Sequence, residues 1–282
     1  MGALAPPPSA HDAAAEPHRG GIPGRMSQRR PGRPRLPSPG EGCLQMTKVS
    51  VILPTYNEAG NIIDLVNAII QQIPRDYDYE IIVVDDNSPD NTHGLVRETF
   101  QTNPKVVPVL RTIDRGFAKS IREGIERASG DRIVVMDTDF THDPAEIPRL
   151  LHVGEVYDIV SGSRFCPGGN MQDVKHYIAS MLYNWILRVV LRTQVQDNLG
   201  GYFTIRKPDI LRLPLDGIFF GYGEYFFRLI HHGQRQGMSI VEIPAVYRTR
   251  KAGTSKSNFG KFLFTYTVAA IRLKRERTRA KG

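Results

Sequence analysis

"VVMDTDFTHDP", Val134 to Pro144, runs from an apolar stretch, Ile133 to Met136, straight into two carboxylates one residue apart, Asp137 and Asp139. A short continuous apolar run of this kind reads as a buried strand. Its acidic end is the unusual part, because buried charges need partners. Alternation along a strand puts every second side chain on one face, so Asp137 and Asp139 are expected to point at one spot. Two like charges that close repel unless a cation lies between them. A hard divalent ion is the natural occupant, since oxygen ligands suit magnesium and manganese. Taken alone, such a pair is more often a solvated loop or a helix N-cap, so the rest of the chain decides.

Outward from this stretch the pattern is regular. "VSVILP" is an apolar strand and "EAGNIIDLVNAIIQQI" has helical periodicity. "YEIIVVDD" is a second strand, with a helix from Asn91; "VVPVL" is a third, with the helix "FAKSIREGIERAS" closed by Gly130. "RIVVMD" is the fourth strand, followed by "PAEIPRLLHV" with proline in the first helical turn, and "YDIVSGSR" is the fifth. Continuous apolar strands alternating with helices predict a mostly parallel, Rossmann-like α/β sheet covered on both faces. Ligands of such sheets bind outside the carboxyl ends of the strands. Four of those ends are polar: Pro54 to Glu58, Asp85 to Ser88, Asp137 to Asp139, and Ser161 to Arg164. All four are expected along one edge, forming one cleft for a metal and a polar ligand. Neither a Gly-x-Gly-x-x-Gly after the first strand nor a Gly-Lys-Thr loop is present, which argues against dinucleotide and P-loop readings.

The flanks differ from this core. Residues 1–46 hold nine of the chain's 20 prolines and few large apolar residues, so they are expected to form a disordered tail. Met1, Met26 and Met46 are all candidate starts. The catalytic domain is expected over 47–260, and a basic amphipathic segment over 261–282. From Arg272 onward six basic residues and one acid follow the apolar "FLFTYTVAAI". "YIASMLYNWILRVVLRT", Tyr177 to Thr193, reads either as an interfacial helix or as a core helix. No apolar run is long enough to cross a bilayer. The two cysteines form no disulfide framework or zinc site, which fits a reducing compartment. Net charge is +8, which suggests an anionic partner; the tail supplies +3 of it, from six arginines and three acids. The "RRPGRPR" of the tail is read as a solvated basic stretch, so no nucleic-acid partner is expected.

"VSVILPTYNE", "VVDDNSPDNT", "MDTDFTHDP", "IVSGSR" and "EIPAVYRTRKAGTSK" together resemble family 2 glycosyltransferases of the GT-A fold. Within that family they look most like dolichol-phosphate mannose synthases and their polyprenyl-phosphate relatives. The resemblance implies that Pro54, Tyr56 and Glu58 hold the base and ribose of a nucleotide sugar, with Val84 and Asp86 beside them. It implies that Asp137, Thr138 and Asp139 face the donor diphosphate and that Asp137 and Asp139 flank Mg2+ or Mn2+, with Thr141 where the family often has a glutamine ligand. Arg164, Arg250 and Lys256 would surround the donor and acceptor phosphates, and Ser180 and His176, the latter in place of an arginine, would lie near the acceptor phosphate. Asn87 and Asn91 stand where the family often has glycine, and asparagine is the next best residue for a left-handed backbone.

The expected activity is an inverting, metal-dependent transfer, most simply of mannose from GDP-mannose, to a polyprenyl phosphate. The alternatives are a UDP-sugar donor of the glucose type and a non-catalytic nucleotide-sugar-binding protein. Hydroxyl acceptors need a general base. In relatives with such acceptors that base is an Asp following a Glu, whereas "GYGEYFFRL" offers Glu224 and no Asp. A phosphate acceptor is already mostly ionised at neutral pH, its second pKa being about 6. The expected partners are the donor, the polyprenyl phosphate, an anionic membrane surface and, as a further candidate, a separate membrane-anchoring subunit. The expected location is cytoplasmic and peripheral to the membrane.

Overall fold

The computed structural model describes residues 46–172, 174–248 and 259–279. In chain order the elements are β1 (Thr47–Thr55), α1 (Ile62–Gln72), β2 (Tyr77–Asp85), α2 (Thr92–Thr99), β3 (Val106–Leu110), α3 (Phe117–Arg127) and β4 (Arg132–Val135). A 3-10 turn, Pro144–Glu146, leads into α4 (Ile147–Gly154), β5 (Ile159–Ser163), β6 (Asn170–Met171) and α5 (Val174–Leu191). Then follow β7 (Phe203–Arg206), α6 (Lys207–Leu211), α7 (Leu215–Ile218), α8 (Tyr225–Arg235), β8 (Ile240–Pro244), β9 (Val246–Tyr247) and α9 (Phe259–Arg279).

The main sheet has seven strands in the order β3-β2-β1-β4-β7-β5-β8. All neighbours pair in parallel except β7, which runs antiparallel between β4 and β5. The mostly parallel sheet read from the sequence is therefore present, with one reversed strand inserted beside β4.

Alternation along β1 shows why both faces are buried. Val49, Val51 and Leu53 pack beneath α1, α2 and α4, while Ile52 faces α3 and α8 across the opposite cluster. In β4 Ile133 and Val135 face one way and Val134 the other. A third cluster joins α5, α8 and α9 through Tyr183, Leu187, Phe227, Tyr266, Ala270 and Leu273.

At the end of the sheet away from the strands' carboxyl ends, a polar knot ties three elements. Glu80 accepts from Ser50 Oγ at 2.5 Å and from Ser129 N at 2.6 Å, and Gly130 N donates to Ser50 Oγ at 2.9 Å. Burial pushes the Glu80 carboxyl up, but these hydrogen bonds outweigh it and hold it below the usual carboxylate range. Gly130 fits because it lacks a Cβ: one placed there would lie 2.6 Å from Ser50 Oγ and 2.8 Å from the Lys48 carbonyl oxygen. Gly130→Ala is expected to cost about 1–3 kcal/mol of overpacking. Urea denaturation checks this; an unchanged midpoint would show that the β1–β4 connection yields.

Candidate functional site

The carboxyl ends of β1, β2 and β4 open on a cavity of about 500 Å3. Pro54, Thr55, Tyr56 and Glu58 come from β1, Asp86 from β2, and Asp137, Thr138 and Asp139 from the loop after β4. Three of the four polar strand ends expected at one cleft thus meet at this cavity.

At the first end, Glu58 is oriented by Asn61, whose Nδ2 donates to Oε2 at 2.8 Å. The neighbouring turn is built from polar side chains. Asp85 accepts from Ser88 N at 2.9 Å and Ser88 Oγ at 2.5 Å, and Asp90 accepts from Thr92 N at 3.1 Å and Ala59 N at 3.0 Å. Asn87 and Asn91 take left-handed φ values of 56° and 60°, as their place in a glycine-like turn predicts, and Asn57 does the same at 59°. Most other residues lose roughly 1–2 kcal/mol in that conformation.

Asp86 is already engaged. Its Oδ1 accepts from Arg111 Nη1 at 2.8 Å and its Oδ2 from Gly116 N at 2.6 Å. It thereby fastens the loop Arg111 to Gly116, which sets Arg115 over the Tyr56 ring at 5.2 Å. Arg115, Gly116 and Phe117 form a wall that no motif in the sequence announced.

The loop after β4 differs from the expectation in one respect. The strand ends at Val135, so strand alternation does not itself bring Asp137 and Asp139 together. The loop does. Asp137 N donates to His142 Nδ1 at 2.9 Å, and Thr141 donates to Asp139 Oδ1 from both N, at 3.0 Å, and Oγ1, at 2.6 Å. Phe140 turns the chain with φ 64°. Thr141 is absent from the cavity lining, and its hydroxyl donates to Asp139 and so orients that carboxylate. Burial lowers the His142 pKa to about 4, so its imidazole is neutral near pH 7. With Nδ1 accepting, the ring's proton sits on Nε2, 3.8 Å from Asp137 Oδ2. Among the described residues no third His, Cys, Asp or Glu completes a metal cluster. Two hard carboxylates on an open cavity wall fit a divalent ion whose remaining ligands arrive with the substrate.

The fourth strand end is not part of the cavity lining. Arg164, expected at the phosphates, is buried and forms a two-point pair with Asp197, Nε to Oδ2 and Nη2 to Oδ1, both at 2.8 Å. Ser163 Oγ accepts from Phe165 N and Cys166 N. Burial works against the Arg164 charge, but the Asp197 carboxylate more than offsets it. Val84 is a fully buried core side chain, with its carbonyl accepting from Thr55 Oγ1, so it brings no side chain to the cavity. His176 and Ser180 lie one helical turn apart on α5, outside the cavity lining. Arg250 and Lys256 lie outside the described residues.

The far side of the cavity comes from Leu199 to Gly201, from Tyr222 to Phe226 and from Tyr266 of α9. Tyr266 Oη accepts from Gly223 N at 3.1 Å. Glu224 is turned away: its Oε2 accepts from Tyr222 N at 2.9 Å and its Oε1 lies 3.5 Å from Arg228 Nη2.

Comparison with known proteins bears on this cavity directly. The family model for glycosyl transferase family 2 matches residues 50–212. A dolichol-phosphate mannosyltransferase of Pyrococcus furiosus is 34% identical over 231 residues, 80% of this chain and 63% of that protein, so the match spans less than two thirds of that relative. A polyprenol monophosphomannose synthase of Mycolicibacterium smegmatis is 31% identical, with 81% of this chain and 89% of the relative covered. Among solved structures, glucosyl-3-phosphoglycerate synthase of Mycobacterium tuberculosis, in complex with Mn2+, UDP-glucose and phosphoglyceric acid, superposes with a TM-score of 0.63 at 18% identity. That superposition covers 81% of this chain and 80% of the other and shows a shared fold.

The Arg164–Asp197 pair generates a stability prediction. Asp197→Ala strands a buried guanidinium and is expected to cost about 3–5 kcal/mol. Arg164→Lys, which keeps the charge and loses the two-point geometry, is expected to recover only part of the stability lost in Arg164→Ala. Chemical denaturation reads both; an Arg164→Ala protein as stable as the wild type would return this arginine to the role expected from the sequence.

Proposed function

We propose that this chain, which belongs to glycosyl transferase family 2, transfers mannose from GDP-mannose to a polyprenyl phosphate at a membrane surface, with inversion at the sugar carbon. The observation that carries the reading is the meeting of three polar strand ends, with Glu58, Asp86, Asp137 and Asp139, on one cavity. The choice of mannose and of a polyprenyl phosphate follows the curated relatives.

In this reading Tyr56 and Arg115 flank the base, and Glu58, held by Asn61, accepts from the ribose hydroxyls. Asp86 acts mainly by holding the wall that carries Arg115. Asp137 and Asp139 hold Mg2+ or Mn2+, and Thr138 beside them faces the donor diphosphate. The ion, when bound, supplies Lewis-acid neutralisation of the departing diphosphate. Thr141 fixes the Asp139 carboxylate in one orientation before the donor arrives. Arg250 and Lys256 add positive charge for the phosphates, on the ground of the resemblance. Glu224, buried against Arg228, is no proton acceptor for an incoming hydroxyl. An acceptor phosphate needs none.

The surface favours a lipid-borne acceptor. The outer side of α5 exposes Ile178, Met181, Leu182, Trp185 and Val189 at helical spacing, while its inner side packs on α9. Phe264 and Ile271 of α9 are exposed as well, and exposed Arg272, Lys274 and Arg275 follow. No helix among the described residues is long and apolar enough to cross a membrane. Peripheral binding through these two helices suits such a surface, with tryptophan at headgroup depth and basic residues attracted to anionic lipid. A separate anchoring subunit is a further partner in this proposal.

Two experiments test the reading. Wild-type protein with Mn2+ or Mg2+ and a panel of labelled GDP- and UDP-sugars is expected to label a polyprenyl phosphate and leave the matching polyprenol unlabelled. EDTA or Asp139→Ala should lower that transfer by about a thousandfold, the equivalent of several kcal/mol of leaving-group stabilisation. Comparable transfer to the alcohol, or full activity in EDTA, would overturn the mechanism, and labelling from UDP-glucose alone would favour the other donor. In the second experiment, sedimentation with anionic vesicles should fall as salt rises and fall again in Trp185→Glu. Binding that ignores both changes would remove the membrane surface from the proposal.

A further inference from the structure

The N–H of Asp137 has no strand to donate to. The last main-chain bond of this part of the sheet runs from Met136 N to Ile52 O, at 3.4 Å. Beyond it the approach to β1 is made by a side chain, Thr138 Oγ1 to Pro54 O at 3.4 Å. The acceptor for Asp137 N is the Nδ1 of His142, a fully buried residue five positions on. The ring is itself fixed on two sides. It stacks on Tyr202 at 4.8 Å and 11°, and it meets Tyr247 edge-on at 4.7 Å and 72°. Tyr202 Oη donates to Asp143 O, so the stacking partner grips the chain next to His142. Tyr247 Oη donates to Gly200 O on the facing wall of the cavity. The segment that carries Tyr247 is also joined to the loop by Arg248 N to Thr141 O at 3.2 Å.

We infer that His142 is a positioning residue: through Nδ1 it sets the backbone of Asp137, and through Tyr247 it fixes the Asp137–Asp139 loop at a defined distance from Gly200. It touches no substrate. This rests on the reading that Asp137 and Asp139 hold a divalent ion and the donor diphosphate. A histidine that merely filled the core would be replaceable by any ring of similar size. His142 instead combines two properties, a flat ring for the tyrosines and an acceptor at the δ1 position for Asp137.

Those properties separate by substitution. His142→Phe keeps the ring and loses the acceptor. His142→Asn loses the ring and keeps an acceptor, Oδ1, the same number of bonds from the backbone. His142→Gln moves the acceptor one bond too far. Binding of GDP and UDP in the presence of Mn2+ is measured by titration calorimetry, with thermal melting in parallel. Stability is expected to follow the ring, His142→Phe melting above His142→Asn. Affinity for the Mn2+ nucleotide is expected to follow the acceptor: near wild type in His142→Asn, and weaker by at least about tenfold in His142→Phe and His142→Gln. If His142→Phe does not fold, His142→Gln against His142→Asn gives the same comparison. Affinity that follows the ring, or equal affinity in all three variants, overturns the role of His142 while leaving the proposed function in place. A wild-type protein that binds neither Mn2+ nucleotide overturns both.

Discussion

The pairing of Arg164 with Asp197 is the interaction on which the far wall of the cavity depends. Neither charge is tolerable in the interior alone. Together they form a two-point pair and organise what surrounds them. Asp197 also accepts from the N–H groups of Arg164 and Leu199, just before Gly200 and Gly201 line the cavity. Its own N–H is held by Glu242 of β8, which accepts from Gln196 N as well. The guanidinium lies 4.8 Å from the Tyr247 ring and 5.1 Å from that of Phe165. This strand end is thus part of the foundation of the cavity wall.

That difference shows what one sequence can and cannot disclose. The first four strands and their helices were legible because each is a continuous apolar run followed by a 3.6-residue period, and local pattern suffices for that. The carboxylates at their ends were legible because strand polarity in such sheets places ligands at one edge. Asn87 and Asn91 were legible from turn chemistry alone. The reversed strand β7 was not, since "FTIR" is four residues long and its place between β4 and β5 is decided by pairing across the fold. The pairing of Arg164 was not legible for the same reason. Its partner is 33 positions away, and an arginine that ends a strand looks identical whether it meets a phosphate or an aspartate. Side-chain direction was not legible either: Thr141 Oγ1 donates to Asp139, and the Val84 side chain lies in the core.

Three asparagines and Phe140 hold left-handed backbone around the cavity rim, at Asn57, Asn87, Asn91 and Phe140. Each turns the chain sharply, and Asn91 does so at the start of α2. Rigidity there comes from short side-chain bridges rather than from a sheet or helix: Ser88 to Asp85, Thr92 to Asp90, Thr141 to Asp139. Such bridges order a polar rim without apolar burial, which the rim cannot supply.

The stretch recognised by the family model ends at residue 212, yet the cavity does not end there. Tyr222, Gly223, Tyr225, Phe226 and Tyr266 all come from later in the chain, and Tyr266 arrives on the same helix that packs against the apolar α5. Much of the far wall of the pocket is thus drawn from outside the stretch that the family model recognises, although the Pyrococcus furiosus relative matches 80% of the chain. A fragment trimmed to residues 50–212 would keep Glu58, Asp86, Asp137 and Asp139 and lose the aromatic part of the far wall.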